Sequence, residues 1–197
     1  MPKKEPLSAL LQSLRDLVKW LKSEHVPGVV VGGVAASILG RPRMTRDIDA
    51  LVLLEEEYWD KFLTDGAKFG FTPRLADCLN FAKKSRVLLI RHKSSGIDVD
   101  ITFGALAFEK EAIAHAVWID IKKIHLPLPL PEDLIIMKAI AHRPRDLADI
   151  ESLLDVHPKL NLRRVRRWVK EFSKAIEMPE ILGDLENILQ KKRKRNR

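Results

Sequence analysis

Two pairs of acidic residues are the part of this sequence best suited to chemistry. Asp47 and Asp49 are separated by one apolar residue, and so are Asp98 and Asp100. Because successive side chains of a β-strand point to opposite faces, each pair would project together while the residue between them enters the core. Carboxylates that lie side by side repel one another, and burial increases that repulsion. Such pairs therefore indicate a site for a hard cation such as Mg²⁺, which prefers oxygen ligands and is often shared with phosphate.

A glycine pair ahead of the first acids gives a second chemical signal. Gly32 and Gly33 follow a run of three valines and precede a short, small-residue segment that is expected to be helical. Glycine permits a sharp turn and lets a phosphate approach the main chain closely. Ser37 lies in the short helix, where it could assist the turn or only permit tight packing. Because two-metal phosphoryl transfer commonly needs three carboxylates, the glycines and acids together predict metal-dependent phosphate chemistry.

The elements that position these residues follow from apolar periodicity. Leucine and valine residues at helical spacing predict an amphipathic N-terminal helix that ends before Pro27. A longer helix closed by Gly70 is expected over 55–70. Apolar, β-branched runs predict strands over 28–31, 47–54, 86–92, 97–103 and 117–124, of which the third and fourth form a hairpin.

A segment of alternating leucine and proline, 126–131, suggests a boundary. Proline lacks a backbone donor and restrains the preceding residue, which excludes a helix or a central strand there. We expect an α/β (α+β) core with a mixed sheet and an N-terminal helix over 1–125, a helical region over 126–190, and a basic tail over 191–197. The helices of the second region are predicted over 132–141, 144–155, 162–176 and 179–190.

Composition narrows the functional classes. The chain has 197 residues, a net charge of +8 and one cysteine, which excludes an internal disulfide framework and is typical of a reducing compartment. No apolar run approaches the roughly 20 residues of a membrane helix, so we expect a cytoplasmic protein. Six of the last seven residues are basic, and a second basic cluster lies over 163–170. These clusters indicate either a solvated surface or an electrostatic contact with RNA.

The order of these motifs resembles the nucleotidyltransferase superfamily related to DNA polymerase β. The shared pattern is the pair Gly32-Gly33, a short helix, Asp47 and Asp49 between apolar residues, and a further acid on a later strand. The resemblance implies the polymerase-β-like mixed sheet with helices. It also implies Asp100 as the third carboxylate, because strands of this kind in the family run valine–aspartate–apolar, with Asp98 as the alternative.

A second stretch is similar to a small prokaryotic branch of that superfamily. The segments 131–138 and 143–150 resemble its C-terminal signature, and the branch includes toxin components of type IV toxin–antitoxin and abortive-infection systems. By this resemblance Lys138 contacts nucleotide phosphates, and Asp146 or Asp149 is also functional. The residues alone leave an alternative open, because acids early in a helix that begins at Pro144 also complement its dipole.

The resemblance implies transfer of a nucleoside monophosphate from an NTP to an acceptor hydroxyl, with release of pyrophosphate. Asp47, Asp49 and Asp100 would hold Mg²⁺, for which Mn²⁺ could substitute, and Gly32 and Gly33 would approach the nucleotide. The acceptor expected for the branch is tRNA or another RNA, and a cognate antitoxin is an expected partner. The alternatives are a protein or small antibiotic-type acceptor, or a non-catalytic nucleotide- or RNA-binding module.

Overall fold

The computed structural model describes residues 6–195. The helices in this range are α1 (Pro6–Ser23), α2 (Gly32–Leu39), α3 (Trp59–Gly66), α4 (Cys78–Ser85), α5 (Ala107–Ala114), α6 (Pro131–Ala141), α7 (Pro144–Val156), α8 (Leu162–Ala175) and α9 (Glu180–Arg195). The strands are β1 (Gly28–Val31), β2 (Asp47–Val52), β3 (Phe71–Pro73), β4 (Val87–His92), β5 (Asp98–Phe103), β6 (Val117–Ile121) and β7 (Ile124–Leu128).

Backbone contacts divide the chain into two compact units. The first, which we call the sheet unit, comprises the described residues up to Val34 and Met44–Leu128. The second, the helical unit, comprises Ala35–Arg43 and the described residues from Pro129 onward. The segment 35–43 belongs to the helical unit although it lies far from it in sequence. Within residues 6–195, no helix has both the length and the apolar character needed to span a membrane.

A five-stranded mixed sheet forms the centre of the sheet unit, with the order β1-β2-β5-β4-β3. The strands β2 and β5 are parallel neighbours, whereas the other pairs are antiparallel. The predicted mixed sheet and the hairpin of β4 and β5 are therefore confirmed. Since β2 and β5 are parallel, both begin at the same edge of the sheet, and both begin with an aspartate.

One face of this sheet is mainly apolar and carries the core, with His92 as a buried polar residue at its margin. Alternate residues of β2 and β5 point into it and are buried: Ile48, Ala50, Val52, Val99, Ile101 and Phe103. Aromatic side chains cover this face, with Trp59 stacked on Phe103 at 3.9 Å and Trp20 stacked on Phe62 at 4.1 Å between ring centroids. This burial fixes which face each strand presents, because a one-residue slip would move every apolar side chain out of the core.

Two predicted elements of the sheet unit are wrong in detail. The helix expected over 55–70 is a 3₁₀ turn at Glu56–Tyr58, the helix α3 and a second 3₁₀ turn at Ala67–Phe69. The strand expected over 117–124 is a hairpin of β6 and β7, which form a separate two-stranded sheet. Its turn places Lys122 and Lys123 at φ values of 48° and 67°. Because such turns normally use asparagine or glycine, the sequence carries no signal for it.

The helical unit contains α6 to α9 as predicted, packed through buried residues that include Leu134, Ile150, Val165 and Leu185. Helices α6 and α7 each begin with a proline, Pro131 and Pro144, where a missing N–H costs nothing. Helix α9 continues to Arg195 instead of ending at residue 190, so most of the expected basic tail is helical. Basic residues in the last turn interact favourably with the helix dipole, and Lys192 forms an ion pair with Asp155. Asn196 and Arg197 lie outside the described residues.

Candidate active site

The turn between β1 and α2 brings backbone against a carboxylate. Val31, the last residue of β1, pairs with Asp49 in β2, and the next residue is Gly32 at φ +61°. A Cβ atom added to Gly32 would lie 1.8 Å from Oδ2 of Asp49, which no side chain tolerates. Glycine is therefore required here for its positive φ and for the space it leaves. Gly33 follows in the first turn of α2 and is buried.

Four aspartates share the face of the sheet opposite the apolar core. The parallel register pairs Asp47 with Asp98 and Asp49 with Asp100. Since neighbouring strands lie about 4.8 Å apart, the backbone places the two pairs side by side, and we call these four residues the acid face. Asp47 is exposed and accepts a hydrogen bond from Oγ1 of Thr45 at 2.9 Å, whereas the other three are partly buried.

Two arginines that the sequence did not suggest contact the acid face. Arg91 in β4 lies opposite Asp98 and donates to it from Nε at 2.6 Å and from Nη2 at 3.2 Å. Arg74, directly after β3, contacts Oδ2 of Asp98 through Nη1 at 3.2 Å and donates to Asp100 through Nη2. Two guanidinium groups therefore contact the two acids of β5.

The two acids of β5 differ in their electrostatic environment. Burial raises the pKa of Asp100, Asp47 and Asp98 raise it further, and Arg74 opposes the shift only in part. The hydrogen bonds from Arg91 lower the pKa of Asp98, and the charge of Arg74 lowers it as well, against the opposing effect of burial. Asp98 is thus held as an ion-paired carboxylate, while the charge of Asp100 is less fully compensated.

The donor chemistry of the acid face fits a hard divalent cation. Asp49 provides carboxylate oxygens beside the Gly32 turn, Asp47 lies two residues earlier on the same face of β2, and oxygen is the ligand that Mg²⁺ and Mn²⁺ prefer. Among residues 6–195, however, no three acidic, histidine or cysteine side chains are arranged together as a metal-binding group. Asp100, the third expected ligand, is engaged by Arg74.

The other predicted nucleotide-contact residues lie in the helical unit, where three of them form a buried charged cluster. Nζ of Lys138 lies 2.6 Å from Oδ1 of Asp146 and 3.1 Å from Oδ2 of Asp149. Arg43 binds the other side of Asp149, through Nε at 2.7 Å and Nη2 at 2.8 Å. Burial alone would raise the pKa of Asp149, but the hydrogen bonds from Arg43 and Lys138 lower it below its usual value.

Local hydrogen bonds account for the positions of two of these residues. Asp146, near the start of α7, accepts the backbone N–H of Arg143 at 3.4 Å, as expected for an acid in the first helical turn. The hydroxyl of Ser37 donates to the carbonyl oxygen of Arg43 at 2.8 Å and accepts from the backbone nitrogen of Arg43 at 2.9 Å. Ser37 therefore closes the loop that carries Arg43, and Arg43 in turn holds Asp149. No sequence pattern predicts the contact between Arg43 and Asp149, because the two residues are 106 positions apart.

Comparison with known proteins agrees with this architecture. Residues 5–189 match a family described as nucleotidyltransferase of unknown function (DUF6036). No curated protein sequence matches the chain. The fold is similar to the solution structure of the antibiotic-resistance factor ANT(2″)-Ia, with a TM-score of 0.59 and 16% identity over 88% of this chain and 96% of that chain.

Two further structures share the fold. An antigenic nucleotidyltransferase-like protein from Paracoccidioides brasiliensis has a TM-score of 0.54 and 15% identity, over 88% of this chain and 92% of that chain. The lincomycin-bound lincosamide antibiotic adenylyltransferase LnuA has a TM-score of 0.51 and 14% identity, over 74% of this chain and 97% of that chain. At these identities the similarity establishes the fold alone.

Proposed function

The chain belongs to this nucleotidyltransferase family, and we propose that it is a metal-dependent enzyme that transfers a nucleoside monophosphate from an NTP to an acceptor hydroxyl. The observation that carries the proposal is the parallel register of β2 and β5, which sets Asp47 and Asp49 beside Asp98 and Asp100 at the Gly32 turn. Four acids on one face of a sheet destabilise the folded state, because their negative charges repel one another, and a purely structural role would not explain their presence.

The residues of the sheet unit take distinct roles in this proposal. Asp47, Asp49 and Asp100 would hold Mg²⁺ or Mn²⁺, which would neutralise triphosphate charge and lower the pKa of the attacking hydroxyl. Asp100 also accepts the hydroxyl proton, a task for which its raised pKa suits it. The acceptor oxygen then bonds to the α-phosphorus, the bond from that phosphorus to the bridging oxygen breaks, and pyrophosphate leaves. The backbone at Gly32 and Gly33 permits close approach of the phosphates.

We assign the cluster of the helical unit to nucleotide binding as well. Lys138 provides a positive charge that suits a phosphate, and Asp146 and Asp149 hold its ammonium group in place. Ser37 acts through the loop that carries Arg43, because its hydroxyl is bonded to the Arg43 backbone. These roles rest on the resemblance of 131–138 and 143–150 to the small prokaryotic branch.

RNA is the acceptor class that the surface charge favours. In the basic cluster of α8, Arg164 and Arg166 are paired with Asp133 and Glu186. The remaining basic side chains are exposed and lie four, three and four residues apart, on one face of the helix: Arg163, Arg167, Lys170 and Lys174. We call these four residues the basic stripe. Over about 16 Å it presents four cations, which suits a polyanion such as RNA better than a small acceptor.

A small cationic acceptor of the antibiotic type is less well supported. The sheet unit does contain an acidic groove, lined by Glu56, Glu57, Asp60 and Asp77 together with Lys83. However, none of the four aspartates of the acid face is among the described residues that line this groove.

The test of the catalytic proposal is direct. The protein is incubated with Mg²⁺ and each labelled NTP, with tRNA, total RNA, the protein itself and a panel of small hydroxyl acceptors. We expect label in RNA, and we expect the double variant Asp47→Asn, Asp49→Asn to abolish it. If no acceptor is labelled and calorimetry detects no binding of Mg²⁺ and NTP, the chain is a non-catalytic member of the fold.

The RNA proposal has its own test. Alanine at all four positions of the basic stripe removes four positive charges, and so does the control set Lys84, Lys93, Lys110 and Lys123, which are exposed in the sheet unit. If the stripe binds single-stranded RNA, the slope of log affinity against log salt falls by about 3 in the first variant only. An equal decrease of this slope in both variants would show that net charge alone drives RNA binding.

The resemblance to toxin components gives a cellular form of the proposal. An RNA-modifying toxin acts in the cytoplasm, and its expression without a cognate antitoxin arrests growth. We therefore expect growth arrest with the wild-type chain and none with the Asp47→Asn, Asp49→Asn variant. Growth arrest by both the wild-type chain and the double variant would instead indicate toxicity unrelated to nucleotide transfer.

A further inference from the structure

Arg74 occupies an unusual position beside the acid face. Its backbone nitrogen donates to the carbonyl oxygen of Leu89 at 3.0 Å, which extends the pairing of β3 and β4 by one residue. Its side chain, 23% exposed, reaches Asp98 and Asp100 on β5, the strand beyond β4. The third expected metal ligand is thus bound by a cation that belongs to the protein itself.

The hydrogen bonding of Arg74 is incomplete. Its Nη1 and Nη2 contact the two aspartates, but its Nε is buried and has no hydrogen-bond partner within residues 6–195. Arg91, in contrast, binds Asp98 with both Nε and Nη2. Asp98 therefore remains paired with Arg91 if Arg74 moves away, whereas Asp100 would lose the guanidinium contact. A buried nitrogen without a hydrogen bond also destabilises this conformation of the Arg74 side chain. The side chain is therefore easier to displace from Asp100 than one whose donors are all paired.

We propose that Arg74 is a resident counter-ion of Asp100 that competes with the divalent cation for this carboxylate and must withdraw when the cation binds. The inference rests on the proposed function, because it assumes that Asp100 is a metal ligand. A guanidinium group and a metal ion use the same carboxylate lone pairs, so occupation by one weakens the other. Arg74 is thus a positioning residue that sets how readily the acid face takes up its metal.

This competition predicts that substitution of Arg74 increases the affinity of the acid face for a divalent cation. Removing Arg74 frees Asp100 and increases the affinity for Mn²⁺ alone. A charge-assisted hydrogen bond in a partly exposed site corresponds to about a tenfold change in affinity, toward the lower end of the usual range for bonds to charged groups. A purely structural role for Arg74 predicts the opposite sign, because a disordered carboxylate binds metal less well.

The experiment measures Mn²⁺ binding by calorimetry and by the electron paramagnetic resonance signal of free Mn²⁺, without nucleotide. Arg74→Ala and Arg74→Gln are compared with wild type, and Arg91→Ala is the matched control, since it removes the same charge from the same face but acts on Asp98. The glutamine variant keeps most of the side-chain volume, and thermal unfolding verifies that each variant is folded.

We expect Arg74→Ala and Arg74→Gln to bind Mn²⁺ about tenfold more tightly than wild type, and Arg91→Ala to change affinity by less than about threefold. Unchanged or weaker binding by both Arg74 variants overturns the inference, and so does an equal gain in Arg91→Ala, which would show a general charge effect. NTP transfer by the wild type is measured in parallel. If the wild type transfers nucleotide but the Arg74 substitutions leave Mn²⁺ affinity unchanged, only this inference is rejected. If the wild type transfers no nucleotide and neither it nor any variant binds Mn²⁺, the proposed function is rejected as well.

Discussion

Replacement of Gly32 by alanine is the sharpest perturbation of the acid face that the structure offers. The added Cβ would lie 1.8 Å from Oδ2, 2.6 Å from Cγ and 2.8 Å from Cβ of Asp49. Ordinary contacts begin near 3.4 Å, so the Asp49 carboxylate must move by about 1.6 Å or the turn must open. Since a displacement of about 1 Å at a reacting centre can cost on the order of a hundredfold in rate, we expect at least that loss of NTP transfer.

Gly96 provides the matched control for this substitution. It has φ +74°, close to the +61° of Gly32, but no atom of the described part of the chain lies within 4 Å of an added Cβ. Both alanine variants therefore pay a similar backbone penalty of about 1–2 kcal/mol, and only Gly32→Ala displaces a carboxylate. The assay compares the transfer rate, Mn²⁺ affinity and thermal unfolding of the two variants. Equal activity and equal Mn²⁺ affinity in both would refute the placement of Asp49 in the metal site.

The remaining predictions concern the charged side chains. Lys138→Met leaves Asp146 and Asp149 without their shared ammonium, so the free energy of unfolding should fall by about 3–5 kcal/mol, whereas exposed Lys170→Met should change it by less than about 0.5 kcal/mol in the same denaturant titration. Asp100→Asn should abolish nucleotide transfer while Asp98→Asn retains it, because Asp98 is engaged in ion pairs with Arg74 and Arg91. The reverse result would make Asp98, and not Asp100, the third metal ligand. Since burial and neighbouring acids raise the pKa of Asp100, and only the ionised form binds metal, Mn²⁺ affinity should fall on acidification from a pH above the ordinary aspartate value of about 3.9. A calorimetric pH series tests this, and a loss confined below that value would contradict it.

The sequence was sufficient to predict which face of its strand each aspartate occupies, because that signal is local. Acidic and apolar residues alternate around Ile48 and Val99, which predicts that the aspartates share one face of each strand. The burial of Ile48 and Val99 on the opposite face agrees with that prediction. The fold class followed for the same reason. What local patterns could not provide is the neighbour relation of β2 and β5, which are separated by two other strands along the chain. That relation is visible only in the assembled sheet.

Arg74 was missed because the elements around it are too short to leave a pattern. It follows a three-residue strand that ends in Pro73, and α4 begins four residues later and has only eight residues. A three-residue strand at a sheet edge cannot show alternation, and an edge position is also where proline is tolerated. The partners of Arg74 lie more than 20 residues away, so only the assembled sheet brings the charges together.

The register also explains why the two acids of β5 should not be equivalent. Two rows of side chains cross the sheet at the acid face. One row joins Arg91, Asp98 and the exposed Asp47, and in it Asp98 already has a bidentate partner. The other row joins Asp100 and Asp49, and Asp49 abuts the Gly32 turn, where the backbone leaves room for phosphate. Of the three acids that would hold the cation, Asp49 and Asp100 lie in this second row, and the charge that competes for Asp100 comes from Arg74. Chemistry is therefore expected in the row of Asp100, while the pairing of Asp98 with Arg91 stabilises the strand beside it.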